Sequence, residues 1–173
     1  KWNGVPVVAG DVVVVGSSML EQDSAVYKDG TPGYVRAFDV RTGAPRWSFS
    51  PVPREGDPAT STWQDEAWRY TGAGNTWSTF SVDEELGLVY VPTSGVTNDM
   101  YGGHRLGQNL YGSSIVALDT ITGERVWHFQ TVHHDLFDYD LPAAPVLIDV
   151  TVDGRPIAAL AQVTKQGFLF VLD

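Results

Sequence analysis

Cysteine is absent from the 173 residues, which excludes disulfides, thiolate nucleophiles and thiolate metal ligands from this chain. A Cys-x-x-Cys-His haem attachment is excluded with them, and the redox compartment is left open. No apolar run approaches the roughly 20 residues that a membrane-crossing helix needs. Positive charge is scarce: 11 Lys and Arg stand against 21 Asp and Glu, for a net charge of -10. A nucleic-acid partner wants a basic face, so none is expected. Lys1-Trp2-Asn3-Gly4 is not a charged segment leading into an apolar core, so the start reads as mature or internal rather than as a signal peptide. Runs of helix formers are few. Glycine (18) and tryptophan (6) are plentiful instead, which predicts an all-β protein with tight turns. The length suits one domain.

Pro6 to Val15 reads as two short strands broken by the turn dipeptide Gly10-Asp11. Val12 to Val15 is a continuous β-branched run, expected of a strand buried on both faces. A loop, Gly16 to Gln22, follows, then strands at Tyr34 to Val40 and Ala44 to Phe49 around the turn Arg41-Thr42-Gly43. The layout then recurs, with strands at Thr79 to Val82, Leu88 to Pro92, Ser114 to Asp119 and Arg125 to Phe129. It begins a third time at Ala144 to Val150, Ile157 to Val163 and Gly167 to Asp173. Four strands per unit with short turns is the layout of a β-propeller blade.

The repeat is sharpest where Ala37-Phe38-Asp39-Val40-Arg41-Thr42-Gly43-Ala44-Pro45-Arg46-Trp47 aligns with Ala117-Leu118-Asp119-Thr120-Ile121-Thr122-Gly123-Glu124-Arg125-Val126-Trp127. Ala, Asp, Thr, Gly and Trp coincide. Asp and Thr can bond the turn backbone, Gly supplies positive φ, and Trp can fill the space between neighbouring sheets. The third copy lacks its Thr-Gly and Trp. The chain is therefore expected to be a fragment: residues 1–173 as part of one propeller domain, with blades at roughly 5–50, 76–130 and 143–173, the last incomplete.

The densest chemistry lies in Thr131-Val132-His133-His134-Asp135-Leu136-Phe137-Asp138-Tyr139-Asp140-Leu141-Pro142. Two histidines and three carboxylates fall within eight consecutive residues between two strands. Carboxylates crowded this closely perturb one another or hold a cation. Taken by spacing alone, the stretch is either such a site or a solvated acidic loop whose histidines cap backbone groups.

The repeated Ala-x-Asp-x-x-Thr-Gly-x-x-x-Trp unit, joined to His134-Asp135-Leu136-Phe137-Asp138, resembles the quinoprotein dehydrogenases that use pyrroloquinoline quinone (PQQ). The repeat looks like that family's tryptophan-docking motif. Gln130 to Pro142 looks most like the membrane-bound glucose dehydrogenase branch, which usually has Trp where Phe137 stands; Leu88 to Pro92 and Tyr101-Gly102-Gly103 add to the likeness. The resemblance covers nearly the whole chain. It implies roughly three blades of an expected eight-bladed propeller.

The resemblance also implies roles. Asp138 matches the general base that takes the substrate hydroxyl proton while hydride passes to the quinone C5 carbonyl carbon. Lys165 matches a cation beside the quinone oxygens. Trp77 matches the aromatic floor under the cofactor rings, with Thr76 and Ser18 as polar contacts. Glu21 matches the first acidic metal ligand, Thr97 or its neighbour Asn98 the next, and Asp138 would touch the same ion. The ion implied is Ca2+ or another divalent cation, with a lanthanide not excluded. Asp140 sits where lanthanide-using relatives carry an extra Asp, as glucose-branch members also do. His134 and Asp135 are expected to brace the loop, and His133 to face substrate; His104 has no assigned role. The implied activity is oxidation of a sugar or polyol hydroxyl, with electrons passed to a quinone or cytochrome acceptor, in the periplasm and in association with a membrane through a segment outside this chain. The other readings are a PQQ enzyme for a different alcohol or cyclic polyol acid, and a non-catalytic propeller that serves as a binding scaffold.

Overall fold

Alternating and continuous apolar runs resolve into three antiparallel sheets laid face to face. A computed structural model of the chain describes residues 4–18 and 28–173. The first sheet runs in sequence order through β1 (Val7–Ala9), β2 (Val12–Val15), β3 (Val35–Asp39) and β4 (Pro45–Phe49). The second repeats that order with β5 (Ser81–Asp83), β6 (Leu88–Pro92), β7 (Ser114–Asp119) and β8 (Arg125–Gln130). The third has β9 (Val146–Val152), β10 (Arg155–Val163) and β11 (Leu169–Leu172). The ladder slips at the same place in the first two sheets, between Ala37 and Phe38 and between Ala117 and Leu118. Two short 3-10 turns, Pro58–Thr62 and Gln64–Arg69, occupy the long connection between the first two sheets. They carry no apolar periodicity and were not expected from the sequence.

The middle sheet explains the continuous apolar runs. Successive side chains of a strand point to opposite faces. Val89, Val91, Val116 and Leu118 therefore meet Val12, Val14 and Ala37 of the first sheet. Leu88, Tyr90, Ile115 and Ala117 meet Leu160 of the third. All of β6 is buried as a result. Val12 to Val15 does not share this fate. Only Val12 and Val14 are buried, while Val13 and Val15 are half-buried, so the expectation of a strand buried on both faces is corrected. Among the described residues, the first sheet packs against the second, which covers one of its faces.

The repeated turn works the same way twice. Asp39 Oδ1 accepts from the Arg41 and Thr42 amides and from Thr42 Oγ1, at 3.0, 2.8 and 2.9 Å. Asp119 Oδ1 accepts from the Ile121 and Thr122 amides and from Thr122 Oγ1, at 2.9, 2.8 and 3.1 Å. These amide bonds hold both carboxyls below their ordinary value. Trp47 then reaches the next sheet, where its indole N–H donates to the Thr120 carbonyl at 2.9 Å. A Cβ on Gly123 would lie 2.6 Å from the Trp47 ring. Glycine is required there both by this contact and by φ of 74°. Trp127 packs beside Tyr90 on the third-sheet side and lines a cleft of about 450 Å³ with Leu160 and Leu172. None of the described candidate site residues lines that cleft.

In an up-and-down sheet, connections alternate between two ends. The short turns (10–11, 40–44, 84–87, 120–124 and 153–154) all fall at one end. The described residues 16–18 and 28–34 and the connections 50–80, 93–113, 131–145 and 164–168 all fall at the other. Every candidate site residue among the described residues belongs to this second group, which is where loops on a rigid scaffold carry function.

Candidate active site

The acid loop leaves β8 and is held from within. Asp135 is buried, and its carboxylate accepts from Ser113 Oγ at 2.8 Å and from the amides of Phe137 and Tyr139 at 2.9 and 2.8 Å. His134 Nδ1 lies 3.0 Å from the Gly107 carbonyl, and its amide donates to Gln108. Both residues therefore brace the loop, as their sequence context suggested. His133 is exposed. His134 and Asp138 adopt left-handed backbone conformations, with φ of 50° and 55°. Such conformations persist in non-glycine residues only where surrounding contacts enforce them.

Asp138, Lys165 and Trp77 are far apart in the sequence and meet in space. Lys165 stands in a tight turn closed by Gly167 N–H to Thr164 O at 3.0 Å, between β10 and β11. Gln162 in β10 donates to the Ala143 carbonyl at 3.1 Å, which ties the exit of the acid loop to the strand leading to that turn. Lys165 Nζ donates to Asp138 Oδ2 at 2.9 Å and lies 3.5 Å from Asp140 Oδ2. It also sits 5.8 Å from the centre of the Trp77 ring. Partial burial pulls the Lys165 ammonium down. The hydrogen bond to Asp138 and the nearby Asp140 and Asp138 charges outweigh it and raise the group above its ordinary value.

Asp140 is the hub. It is 4 % exposed, takes the Trp77 indole N–H on Oδ2 at 2.8 Å and takes the Gly95 amide on Oδ1 at 2.7 Å. Burial pushes its carboxyl up to about 6; the Gly95 and Trp77 donors pull down, Asp138 adds to the rise and Lys165 opposes it. The family resemblance placed Asp140 beside the site without a structural task. Its task here is to lock the Trp77 ring.

Around Trp77 the surface is polar and unsaturated. Trp77 itself is 36 % exposed. Among the described residues, Thr76 Oγ1, Asn75 Oδ1, Ser78 Oγ and Ser17 Oγ are buried without a hydrogen-bond partner. The Ser17 loop belongs to the same neighbourhood, because a Cβ on Gly16 would meet the Thr76 carbonyl at 2.1 Å. Buried polar atoms without partners are costly, so a cluster of them beside an exposed aromatic face suits a flat polar ligand. Ser18 is half-buried in this loop. Glu21 lies outside the described residues.

Thr97 and Asn98 are tied to the acid loop by a residue the sequence did not flag. Arg105 is 0 % exposed. Its guanidinium donates to the carbonyls of Thr97 (3.1 Å), Asn98 (2.8 Å) and Asp135 (2.5 Å), and to Asn109 Oδ1 (2.9 Å). Burial lowers its pKa to about 10, with Asp135 and Asp99 pulling the other way, so it is charged at neutral pH. Among the described residues no three His, Asp or Glu side chains converge on a point. The candidate ligands Thr97, Asn98 and Asp138 carry hydroxyl, amide and carboxylate oxygens, a set that suits a hard cation.

Residues 2–173 match the family of PQQ glucose, ethanol and alcohol dehydrogenase β-propeller domains. The chain belongs to that family. It is 38% identical over 169 residues to the quinoprotein glucose dehydrogenase of Escherichia coli (strain K12), covering 97% of this chain and 20% of that protein. It is 37% identical over 170 residues to the quinate/shikimate dehydrogenase (quinone) of Acinetobacter baylyi (strain ATCC 33305 / BD413 / ADP1), covering 97% and 20%. The solved quinohemoprotein alcohol dehydrogenase ADHIIG of Pseudomonas putida HK5 superposes with a TM-score of 0.84 at 34% identity, covering 98% of this chain and 26% of that one. The chain thus spans about a fifth of the length of the curated relatives it matches.

Proposed function

We propose that the protein carrying this chain is a PQQ-dependent dehydrogenase that oxidises a sugar or polyol hydroxyl and delivers the electrons to a quinone or cytochrome. The observation that carries this reading is the single cluster in which Asp138, Lys165, Asp140 and Trp77 meet. A structural turn has no need of an exposed indole fixed by a buried carboxylate beside a lysine. A scaffold propeller that only binds other proteins offers no use for the four together.

When bound, PQQ supplies the acceptor for the hydride that leaves the carbinol carbon. The chain's own groups do the rest. The Trp77 face holds the ring system flat, with Thr76 and Ser18 as polar contacts at its edge. The Asp138 carboxylate takes the hydroxyl proton, and the Lys165 hydrogen bond holds that carboxylate in place. The Lys165 ammonium also offers positive charge where oxygen gains negative charge. Glu21, Thr97 or Asn98, and Asp138 would hold Ca2+, another divalent cation or a lanthanide. Further blades complete the site.

Glucose-type substrates lead the reading. A cyclic polyol acid stands second, because identity to the quinate/shikimate relative is within one percentage point of that to the glucose relative. The test is reconstitution of the full-length protein with PQQ and Ca2+, followed by dye-linked turnover on glucose, polyols and quinate. Asp138→Asn is expected to lower kcat by roughly 10²–10⁴-fold, the usual weight of a positioned base. A wild-type protein with neither PQQ binding nor turnover sinks the enzyme reading.

A further inference from the structure

Arg105 is a charged group sealed in the protein, and its cost of burial asks for an explanation. A buried charge is tolerated only when its donors are fully used, and an apolar replacement is often the more stable solution. Arg105 spends its donors on three separate segments. Nε and Nη2 take the Thr97 and Asn98 carbonyls, Nη2 also takes the Asp135 carbonyl, and Nη1 takes Asn109 Oδ1. Asn109 is fixed in turn, because its Nδ2 donates to the Arg105 carbonyl at 2.6 Å. The Arg105 amide donates to Gly102 at 3.0 Å. One planar fork therefore sets the spacing between the 97–98 backbone and the acid loop that carries Asp138 three residues beyond Asp135.

We propose that Arg105 is a positioning residue for the cation: its fork holds the Thr97–Asn98 segment and the Asp135–Asp138 segment in the register that lets oxygens from both grip one ion. This rests on the reading of those segments as metal-binding. A lysine keeps the charge but places a single ammonium, so it cannot hold the Thr97, Asn98 and Asp135 carbonyls and Asn109 in the same fixed plane. Groups that orient ligands without touching the metal typically govern its affinity by about 10–100-fold.

The measurement is Ca2+ retention by the full-length holoprotein. Wild type, Arg105→Lys and Asn109→Ala are exposed to excess chelator, and residual Ca2+ is read by elemental analysis over time, beside melting temperatures. Arg105→Lys is expected to lose Ca2+ about tenfold or more faster than wild type. Asn109→Ala, which frees only one arm of the fork, should show a smaller acceleration in the same direction. It carries the test if the lysine variant fails to fold. Wild-type Ca2+ retention in both variants, with melting temperature alone reduced, would make Arg105 a fold residue and overturn the inference. A wild-type protein that never holds Ca2+ overturns the metal reading, and this inference with it.

Discussion

The two ends of the sheets solve opposite problems. At the short-turn end, Asp39 and Asp119 lie at the surface, and each turn satisfies its own carboxylate with its own amides and threonine. At the long-loop end, Asp135 and Asp140 are buried, and the partners of Asp140 come from residues distant in sequence, Trp77 and Gly95. The first arrangement is local and repeats from sheet to sheet. The second is assembled once, from connections that follow different strands. Stability is thus delegated to a repeated unit, and the long loops are left free to carry buried charge, strained backbone and unpartnered polar atoms.

The contrast is broken most severely at Lys165. Lys165→Met removes the only cation within hydrogen-bonding distance of Asp138 among the described residues and leaves the Asp138–Asp140 pair uncompensated. Loss of one preorganised electrostatic group typically costs 10²–10³ in kcat. Turnover of the reconstituted full-length protein should fall by about that factor, while the urea midpoint changes little, since the Lys165–Asp138 ion pair is partly solvated. A loss confined to the urea midpoint, with kcat unchanged, would place Lys165 on the structural side of the comparison.

At the other end, two glycines give an internal control. Gly43 and Gly123 occupy the same turn position, with φ of 71° and 74°. Among the described residues, an added Cβ meets nothing within 4 Å at Gly43 but meets the Trp47 ring at 2.6 Å at Gly123. Gly43→Ala should cost about 1 kcal/mol for the left-handed backbone alone. Gly123→Ala should cost about 2–4 kcal/mol, because Trp47 must move and its bond to Thr120 is lost as well. Chemical denaturation of the two variants reads the difference, which is the contribution of one docking contact between sheets. Equal costs would mean that Trp47 does not couple the sheets.

This division also decides what was legible in the sequence. The strands and turns were readable because their signals, apolar runs and Asp-Thr-Gly turns, are local in the sequence, and the docking repeat was readable because it recurs. Asp138, Lys165 and Trp77 were identified through motifs standing in a family's order, and the structure brings them together. Arg105 escaped because it sits in a glycine-bearing loop without periodicity and its acceptors are mostly backbone carbonyls, which carry no sequence signature. Asp140 was seen but not understood, since only the fold shows the Trp77 indole bonded to it. Val12 to Val15 was misjudged because a run of four valines does not reveal how many sheets flank it.

The smallest effect concerns acid. The Thr122 amide lowers the Asp119 carboxyl from its ordinary value of 3.8; burial opposes it, and the Ile121 amide and Thr122 hydroxyl add to the lowering. A carboxyl lowered in the folded state contributes stability above its unfolded value and loses it as pH falls through its folded value. The contribution therefore fades below about pH 4. Asp119→Asn keeps an oxygen that can accept from the same amides but cannot ionise. Its melting temperature should lie slightly below wild type at neutral pH and approach it as pH drops below 3.8, because only wild type has an ionised group to lose. Wild type and variant curves that stay parallel from neutral to acid pH would show that the turn is held by its geometry and that its charge adds nothing, which would narrow the difference between the two ends to burial alone.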